Sequence, residues 1–269
     1  MTNDFEIKKY PRTPHIEGSR LQPGDEDLSQ IPFKVIKDKY IVVEEKVDGA
    51  NSAISFSSDG KLLLQSRGHY LEGGFRERHY NLLKQWANVH RDSFYRVLGS
   101  RYIMYGEWLY AKHSVYYDAL PNYFLEFDIF DRHTGKYLDT KSRHQLIKDL
   151  PISSVPVLKV GKFQSMEELL KLLGKSNYIT DRHLQNLRSE SEKLGLDAER
   201  QLRETDNTDI MEGLYIKVEE NGEVVDRMKF VRASFLQTVE TSETHWLERP
   251  IVPNKLSVPI ESLFEVSYE

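Results

Sequence analysis

Apolar residues along this chain fall into short runs separated by turn residues, a pattern typical of β-strands. Strands are predicted where such runs alternate or continue, at 40–46, 51–56, 61–66, 102–109, 123–130, 155–160, 213–218 and 224–231. The dipeptides Asp59-Gly60 and Asn221-Gly222 each separate two of these runs, and both are strong hairpin signals. The pattern therefore predicts antiparallel strands joined by tight turns.

Between the predicted strands, apolar residues recur at the spacing of a helix face. The predicted helices cover 78–98, 140–150, 165–173 and 180–205. Ser165 followed by Glu168 forms a capping box, which marks the start of the third helix. Antiparallel hairpins with interleaved helices predict an α+β domain.

Composition narrows the class of protein. With 269 residues, of which 39% are apolar, the chain is long enough for one large domain with an ample core. It has no cysteine, which excludes disulfides, zinc–thiolate sites and cysteine nucleophiles and fits a cytoplasmic location. Neither a basic-then-apolar leader nor an apolar run of about 18 residues is present, so no membrane partner is expected.

The overall charge does not indicate a nucleic-acid partner, because the formal net charge is −5. Basic residues nevertheless cluster locally, at Arg67, His69, Arg76, Arg78 and His79. The first interpretation of such a cluster is a solvated face.

The candidate catalytic residues lie in one six-residue stretch and in a series of motifs that follow it in sequence. Lys46-Val47-Asp48-Gly49-Ala50-Asn51 has the form KxDGxN; QSRG (65–68), YGEW (105–108), FLEFDIFD (124–131), EGLYIK (212–217) and RMKFVR (227–232) follow in order. A lone KxDG is usually an ordinary lysine at a strand end. The ordered series instead resembles the covalent nucleotidyltransferases, and among them the ATP-dependent RNA ligases, from Val42 to Arg232.

The resemblance implies a nucleotidyltransferase fold of antiparallel sheets with flanking helices, and a reaction in three steps. Lys46 would attack the α-phosphate of ATP to give lysyl-AMP, AMP would pass to an RNA 5′-phosphate, and a 3′-hydroxyl would displace it. ATP and Mg²⁺ (or Mn²⁺) are the implied cofactors and RNA ends the implied partner, with a kinase or phosphatase as a possible preparer of those ends. A metal ion and basic neighbours are expected to disfavour the ammonium form of Lys46.

Residues around the nucleophile receive roles from the same resemblance. Asp48 and Gly49 are expected to form the tight catalytic turn that directs Lys46 at the nucleotide, with glycine tolerating unusual dihedral angles. Asp48 could also be only a turn former. Glu45 and Val47 flank Lys46, where backbone groups and an acidic side chain could read the adenine edge.

Three further positions match nucleotide-binding residues of the family. Asn51 stands where the related DNA ligases usually carry arginine, and its uncharged amide favours RNA at the ends being joined. Arg67 would contact the ribose or an RNA phosphate, or else be a surface hairpin residue. Glu107 would bind the ribose or a metal ion.

Phe127 matches the aromatic residue that stacks on adenine. Strict alternation along its strand would instead place it on one face with Leu125 and Ile129, as a core residue. The resemblance, rather than the periodicity, favours stacking.

The last two motifs supply acidic and basic groups. Glu212 is expected to hold Mg²⁺, because hard cations prefer oxygen ligands. Lys217 is expected at the nucleotide, although regular alternation would put it on the opposite face and exposed. Lys229 would clamp the α-phosphate. The usual second lysine of this motif is replaced by Arg227, and either Arg227 or Arg232 could complete the clamp.

The domain organisation predicted here has four parts. An N-terminal arm covers 1–38 and a nucleotidyltransferase domain 39–245, with a helical insertion at about 140–205 and a C-terminal tail at 246–269. Only 37 residues follow Arg232, too few for an oligonucleotide-binding barrel of about five strands. The insertion, or a partner subunit, is therefore expected to hold the RNA.

Two functional alternatives remain beside RNA ligation. A catalytically idle nucleotide- or RNA-binding module is disfavoured by the joint presence of the lysine, the acids and the basic clamp. A DNA-joining or capping enzyme is disfavoured by Asn51 and by the missing barrel. The nine histidines form no recognisable metal motif and are expected at the surface or facing RNA.

Overall fold

The described part of the protein comprises residues 6–21, 25, 29–235 and 250–266 of a computed structural model. All eight predicted strands are confirmed there, with ends that differ by at most two residues, and four short strands join them. In chain order these strands are β1 (His15–Ile16), β2 (Gln30–Ile31), β3 (Ile41–Lys46), β4 (Ala50–Phe56), β5 (Leu62–Ser66), β6 (Tyr102–Trp108), β7 (Phe124–Asp131), β8 (Lys136–Tyr137), β9 (Ser153–Ser154), β10 (Val157–Gly161), β11 (Gly213–Glu220) and β12 (Glu223–Val231).

The helices are shorter than the periodicity predicts. They are α1 (Asn81–Val89), α2 (Arg91–Leu98), α3 (Thr140–Ile147), α4 (Met166–Leu170), α5 (His183–Lys193) and α6 (Ala198–Arg203). The predicted helix 78–98 breaks at His90, whose ring nitrogen lies 2.6 Å from the carbonyl oxygen of Leu263. The predicted helix 180–205 breaks where Gly195 adopts a left-handed conformation, with φ of 68°. Among the described residues, none of the helices has the length and hydropathy required to cross a membrane.

Two sheets form the framework of the described structure. Sheet A has the strand order β10-β3-β11-β12-β1-β2, and sheet B has the order β5-β4-β6-β7-β8, with β9 beside β7. Most neighbouring strands are antiparallel, while β1 runs parallel to both β12 and β2. The chain leaves sheet A at Lys46 and enters sheet B at Ala50, so the KxDGxN turn lies where the two sheets meet.

Alternation along sheet A separates an apolar face from a polar one. Ile216 and Met228 point to an apolar core that also contains Leu169 of α4. The odd-numbered residues of β11, including Tyr215 and Lys217, lie on the opposite face because side chains alternate along a strand. A second apolar core packs sheet B against α1 and α2, with Ile54, Phe56, Trp86, Phe94 and Phe124 among its members.

The regions predicted as arm, insertion and tail are integrated into this framework. β1, from the predicted arm 1–38, pairs with β12 so that His15 stands opposite Lys229. The insertion predicted as helical at 140–205 contains β10, which pairs antiparallel with β3. Residues 250–266 bridge to the loop after β6, with Pro253 opposite Ala111. Strands from the predicted arm and insertion thus pair with strands of the predicted nucleotidyltransferase domain.

The expectation that the histidines lie at the surface or face RNA is wrong for the five that are buried. These are His15, His79, His90, His113 and His183, each no more than 7% exposed. A buried imidazole requires hydrogen-bond partners, which a sequence pattern does not reveal. His245 lies outside the described residues.

Candidate active site

Lys46 stands at the end of β3 and lines a pocket of about 960 Å³ that receives residues from both sheets. Its Nζ lies 2.8 Å from the carboxylate of Glu212, the residue before β11. The register of β3 and β11 places Gly213 opposite Lys46, and this pairing brings the two side chains together. The side chain of Glu212 is 1% exposed and that of Lys46 is 20% exposed, so the amine remains accessible from the pocket.

Acidic side chains determine the charge at the base of the pocket. Burial alone lowers the pKa of Lys46, but Glu212 and Glu107 raise it above its ordinary value. Burial raises the pKa of Glu107 to about 8 and also raises the pKa of Glu212, although Lys46 opposes both shifts. The expected suppression of the ammonium by neighbouring cations is therefore not provided by the protein alone, which holds Lys46 protonated.

The turn after Lys46 is fixed by the loop that follows β6. The carboxylate of Asp48 accepts hydrogen bonds from the backbone N–H groups of Ser114 and Val115, at 2.7 and 2.9 Å. The backbone N–H of Asp48 donates to the hydroxyl of Tyr117 at 2.7 Å. Asp48 thus ties the KxDGxN turn to a second segment, beyond forming a local turn.

Gly49 is required for close packing rather than for an unusual dihedral angle, which corrects the sequence prediction. It is not among the described residues with positive φ. A Cβ at this position would lie 2.6 Å from Leu109 Cδ2 and 2.8 Å from the carbonyl oxygen of Trp108. Any larger residue would therefore push the nucleophile turn away from β6.

Asn51 and Glu107 face each other on adjacent strands, β4 and β6. Both line the pocket beside Lys46. The Oδ1 atom of Asn51 is buried and has no hydrogen-bond partner in the described structure. Buried acceptors are rarely left unpaired, so this oxygen is suited to a ligand that donates, such as a sugar hydroxyl.

Phe127 lines the pocket because a β-bulge interrupts the alternation of β7. Tyr105 pairs with Asp128 and the next residue, Gly106, pairs with Glu126, which leaves Phe127 without an opposite residue. The ring of Phe127 is half-buried and packs edge-on against Tyr10, with centroids 5.1 Å apart. Phe127 therefore faces the pocket at a bulge and also packs against the apolar core that contains Leu125 and Ile129.

Glu45 and Val47 line the pocket on either side of the nucleophile, and both are buried. The carboxylate of Glu45 accepts hydrogen bonds from Ser176 Oγ at 2.5 Å and from Asn177 Nδ2 at 2.6 Å. Burial raises the pKa of Glu45, and these hydrogen bonds oppose that shift. The acidic group expected at the adenine edge thus also fastens the segment before α5 to the nucleophile strand.

Lys229 is the basic residue of the last motif that reaches the pocket. Burial and the nearby Lys46 lower its pKa, while Asp25 opposes the shift. Arg227 does not line the pocket: its guanidinium lies over the ring of Tyr137 at 4.2 Å. Arg232 does not line it either, because its Nε donates to the carbonyl oxygen of Met211 at 2.8 Å. Neither arginine lines the pocket with Lys229, and the second clamp residue stays a prediction.

Lys217 is fully buried, so the alternative that it is exposed is wrong. β11 begins only at Gly213, and the register puts Lys217 on the same face of sheet A as Tyr215, one row further from the pocket. Its Nζ lies 2.9 Å from Glu44 and donates to the carbonyl oxygen of Phe127. The structure thus places Lys217 beneath the aromatic residue, outside the pocket lining.

A layer of buried charges lies between the sheets below the pocket. Its members include Glu44, Glu126, Asp128, Arg143 and Lys217. Arg143, from α3, reaches both carboxylate oxygens of Glu126 at 3.1 Å and also pairs with Glu44. Pairing of this kind offsets the large cost of burying each charge alone.

The pocket rim carries part of the basic cluster. Arg67 and His69 line the rim and are exposed. Phe75 also lines it, is 79% exposed, and has the guanidinium of Arg78 at 4.7 Å from its ring centre. An exposed aromatic residue beside arginine is suited to stacking with a base.

The sequence analysis missed pocket residues from the arm. Tyr10 and Thr13 line the pocket, and each lies within hydrogen-bond distance of the Tyr215 hydroxyl, at 2.7 and 2.9 Å. The arm has no periodic pattern, so nothing in it signalled these positions. Tyr215 itself was detectable, because it shares a strand face with the predicted Lys217.

Glu107 and Glu212 are the pocket carboxylates expected to hold a metal ion; Glu44, Glu45, Asp48 and Glu77 also line the pocket. No group of three or more metal-ligating side chains is arranged to hold a metal ion among the described residues. Two pocket carboxylates still fit Mg²⁺, because this ion commonly uses one or two protein carboxylates and completes its shell with phosphate oxygens and water. The donor set therefore fits a metal ion that binds together with a nucleotide.

Comparison with known proteins decides the family. The RNA ligase family model matches residues 39–231, which is more than half of the chain. The chain belongs to the RNA ligase family. The family and fold class predicted from the motifs are thereby confirmed. No curated protein matches the chain.

Solved structures of a Naegleria gruberi RNA ligase have a similar fold. A variant solved with ATP and Mn has a TM-score of 0.54 and 18% identity, over 86% of this chain and 58% of that one. A variant solved with AMP and Mn has a TM-score of 0.54 and 16% identity, over 86% and 57% of the two chains. The present RNA ligase family member thus spans less than two thirds of the length of these structures, and at such identities the likeness is one of fold.

Proposed function

We propose that the protein is an ATP-dependent RNA ligase that joins a 3′-hydroxyl to a 5′-phosphate through a lysyl-AMP intermediate on Lys46. The observation that carries this proposal is the pairing of Lys46 with Glu212 at 2.8 Å in a pocket that Asn51, Phe127 and Lys229 also line. An amine, two acids, an unpaired amide oxygen, an aromatic ring and a second cation are the groups this chemistry needs.

In the first step the Lys46 amine attacks the α-phosphorus of ATP. A nitrogen–phosphorus bond forms and the bond to the β-phosphate oxygen breaks, releasing pyrophosphate. The amine must first lose the proton that the acids stabilise, and the Glu212 carboxylate is within hydrogen-bond distance to accept it. Lys229 is placed to stabilise the negative charge that develops on the α-phosphate.

In the second and third steps the same pocket acts on the RNA ends. An oxygen of the RNA 5′-phosphate attacks the AMP phosphorus and the Lys46 amine leaves. The 3′-hydroxyl of the other end then attacks that 5′-phosphorus, and AMP leaves. Mg²⁺ or Mn²⁺, held by Glu107 and Glu212, would offset phosphate charge during this chemistry.

The pocket lining supports a binding mode for adenine and ribose. Phe127 is placed to stack on the base, and the unpaired Oδ1 of Asn51 to accept from a sugar hydroxyl. An uncharged amide at position 51 supports RNA rather than DNA at the joined ends. Glu45 retains carboxylate acceptor capacity that can face the exocyclic amine of adenine.

The decisive experiment looks for the covalent intermediate. The protein is incubated with Mg²⁺ and ATP labelled at the α-phosphate, denatured, and examined for label that acid releases. We expect label in the wild type, none in Lys46→Ala, and wild-type labelling in Lys136→Ala, an exposed lysine paired with Glu223. Absence of label in the wild type, or undiminished label in Lys46→Ala, would favour an idle nucleotide-binding module instead.

RNA binding is better supported at the rim than on the helical insertion. In α5 and α6 several basic side chains are paired with acids, as in Arg188 with Glu199 at 2.5 Å and Arg200 with Glu204 at 3.1 Å. Arg67 instead is exposed at the pocket rim. We propose that Arg67 contacts the phosphate backbone of an RNA end.

The rate of sealing of RNA that already carries a 5′-adenylate distinguishes RNA binding at the pocket rim from RNA binding on the helical insertion. Arg67→Ala should slow this step about 10- to 100-fold, as expected for the loss of one hydrogen bond to a charged group. Arg188→Ala should leave it unchanged. A larger effect of Arg188→Ala would restore the insertion as the RNA-holding part. Substrate panels with 5′-hydroxyl ends would also show whether a kinase must act first.

A further inference from the structure

The clamp residue Lys229 has an acidic partner of its own, supplied by the N-terminal arm. Its Nζ donates to the carboxylate of Asp25. The same carboxylate accepts from Arg12 Nη2 at 3.1 Å and lies 3.3 Å from His15 Nε2. Hydrogen bonds from Lys229 and Arg12 hold the pKa of Asp25 at about 2 against the effect of burial. Asp25 is therefore an anion at neutral pH.

The sheet holds His15 in place to support this carboxylate. His15 is completely buried and stands opposite Lys229 on the neighbouring strand. Its Nδ1 lies 2.6 Å from Ser19 Oγ, and that oxygen accepts from the backbone N–H of Val231 at 2.9 Å. Because an ionised carboxylate can only accept, a hydrogen bond between His15 and Asp25 requires the proton of the neutral imidazole on Nε2, and Nδ1 can then accept from the Ser19 hydroxyl.

Asp25 lies behind Lys229 as seen from the pocket. Lys229 lines the pocket, whereas Arg12, His15 and Asp25 do not. The side chains of Lys229 and Asp25 are only 11% and 14% exposed. A carboxylate in this position supports the lysine from behind and does not occupy the place of a phosphate group.

We propose that Asp25 is a positioning residue that orients Lys229 toward the α-phosphate during adenylylation of Lys46. An ammonium group has three N–H donors, and anchoring one of them to Asp25 fixes the directions of the other two. Preorganised donors stabilise developing charge better than mobile ones. This inference rests on the proposed function. Each of the two pocket lysines then has an acid within hydrogen-bond distance, Glu212 for Lys46 and Asp25 for Lys229.

The test compares single-turnover formation of lysyl-AMP in the wild type, Asp25→Asn, Asp25→Glu and Asp131→Asn. Asp131 is a matched control, a buried carboxylate that accepts from Arg101 at 2.7 and 3.0 Å outside the pocket. Asp25→Asn should lower the maximal rate constant about 10- to 100-fold, the usual effect of removing an orienting partner. The ATP concentration for half-maximal rate should change little, Asp25→Glu should recover part of the rate, and Asp131→Asn should match the wild type.

A second readout does not depend on nucleotide chemistry. Brief treatment with acetic anhydride, followed by peptide mass spectrometry, measures the reactivity of individual lysines. Lys229 should be acetylated faster in Asp25→Asn, because the ammonium loses its anchor, while Lys136 should be unchanged. Equal reactivity of Lys229 in the wild type and Asp25→Asn would contradict the contact between Lys229 and Asp25.

The outcomes distinguish this inference from the proposed function. Absence of label in the wild type refutes the proposed function itself. Label in the wild type with equal rate constants in Asp25→Asn refutes only the role of Asp25. A rate that rises in Asp25→Asn would show that the arm restrains Lys229, and this would also refute positioning. A lower melting temperature with an unchanged rate constant for the folded fraction would reduce Asp25 to a structural residue.

Discussion

Lys46 and Glu212 are 166 residues apart in the chain, and their side chains lie 2.8 Å apart at the base of the pocket. The antiparallel pairing of β3 with β11 creates this contact. Replacement of Glu212 by glutamine keeps the shape but removes the anion that pairs with the amine and would hold the metal ion.

Glu212→Gln should therefore slow lysyl-AMP formation by roughly 100-fold or more, the scale of losing one charge-stabilising group in an active site. Labelling from α-labelled ATP measures the rate. Glu223→Gln, which breaks the surface pair with Lys136, serves as the control and should react normally. A Glu212→Gln rate within threefold of the wild type would contradict the assignment.

Phe127 is expected to bind adenine through its ring. Phe127→Leu keeps apolar contact but removes the stacking surface, worth about 1–3 kcal/mol per base. The ATP concentration for half-maximal labelling should rise about tenfold, corresponding to about 1.4 kcal/mol. Phe56→Leu, in the buried core of sheet B, should lower the free energy of unfolding without changing that concentration. Equal ATP dependence in Phe127→Leu and wild type would argue against stacking.

The sequence predicted the local parts of the site and missed those that depend on distant contacts. The motifs predicted Lys46, Glu107 and Glu212, which line one pocket, because each stands at a fixed offset within its own strand or turn. The bulge at Phe127 and the burial of Lys217 arise from pairing between strands, which a single strand pattern does not encode.

The contacts made by the N-terminal arm could not be predicted from the sequence for the same reason. Asp25 and Tyr10 contact the site through long-range ion pairs and hydrogen bonds, and such contacts leave no periodic signal in the sequence. The strands were predictable because alternation and hairpin dipeptides are local. The helix breaks at His90 and Gly195 were not, since the periodicity of apolar residues continues across them.

The C-terminal segment should stabilise the nucleophile turn. Asn254 is buried, accepts from the backbone N–H of Tyr117 at 2.9 Å, and donates to the carbonyl oxygen of Leu109 at 2.7 Å. Tyr117 in turn contacts Asp48. Asn254→Ala should lower the free energy of unfolding by about 1–3 kcal/mol, because two buried groups lose their partner. It should also slow lysyl-AMP formation.

Urea unfolding measures the first effect, and labelling of the folded protein the second. Ser262→Ala removes an exposed hydroxyl that bonds to the carbonyl oxygen of Pro259 and should change neither quantity. Normal stability of Asn254→Ala would show that the segment 250–266 does not brace the loop.

Arg143 should be essential for stability because it pairs with two buried acids between the sheets. Arg143→Met leaves Glu44 and Glu126 with fewer partners in a desolvated layer. We expect a loss of about 3–5 kcal/mol in the free energy of unfolding. The double variant Arg143→Met with Glu126→Gln should recover part of this loss. Urea unfolding tests both, and Arg96→Met, at an exposed position of α2, should change stability by less than about 0.5 kcal/mol.

The ion pair between Asp131 and Arg101 should make stability depend on acid pH. Hydrogen bonds from Arg101 hold the pKa of Asp131 at about 2, below its ordinary value of 3.8. Since the folded pKa is the lower one, this contribution is complete above the ordinary value and is lost as the pH falls toward about 2. Asp131→Asn should be less stable than the wild type at neutral pH, and the difference should shrink between about pH 4 and pH 2.

Urea midpoints measured at successive pH values for both proteins give this difference directly, because the other carboxylates titrate in both. Asp92→Asn, at an exposed position beside Arg91, should show no such change. A difference between Asp131→Asn and wild type that stays constant down to about pH 2 would mean that the charge of Asp131 does not contribute to folding, and that Arg101 is held by other contacts.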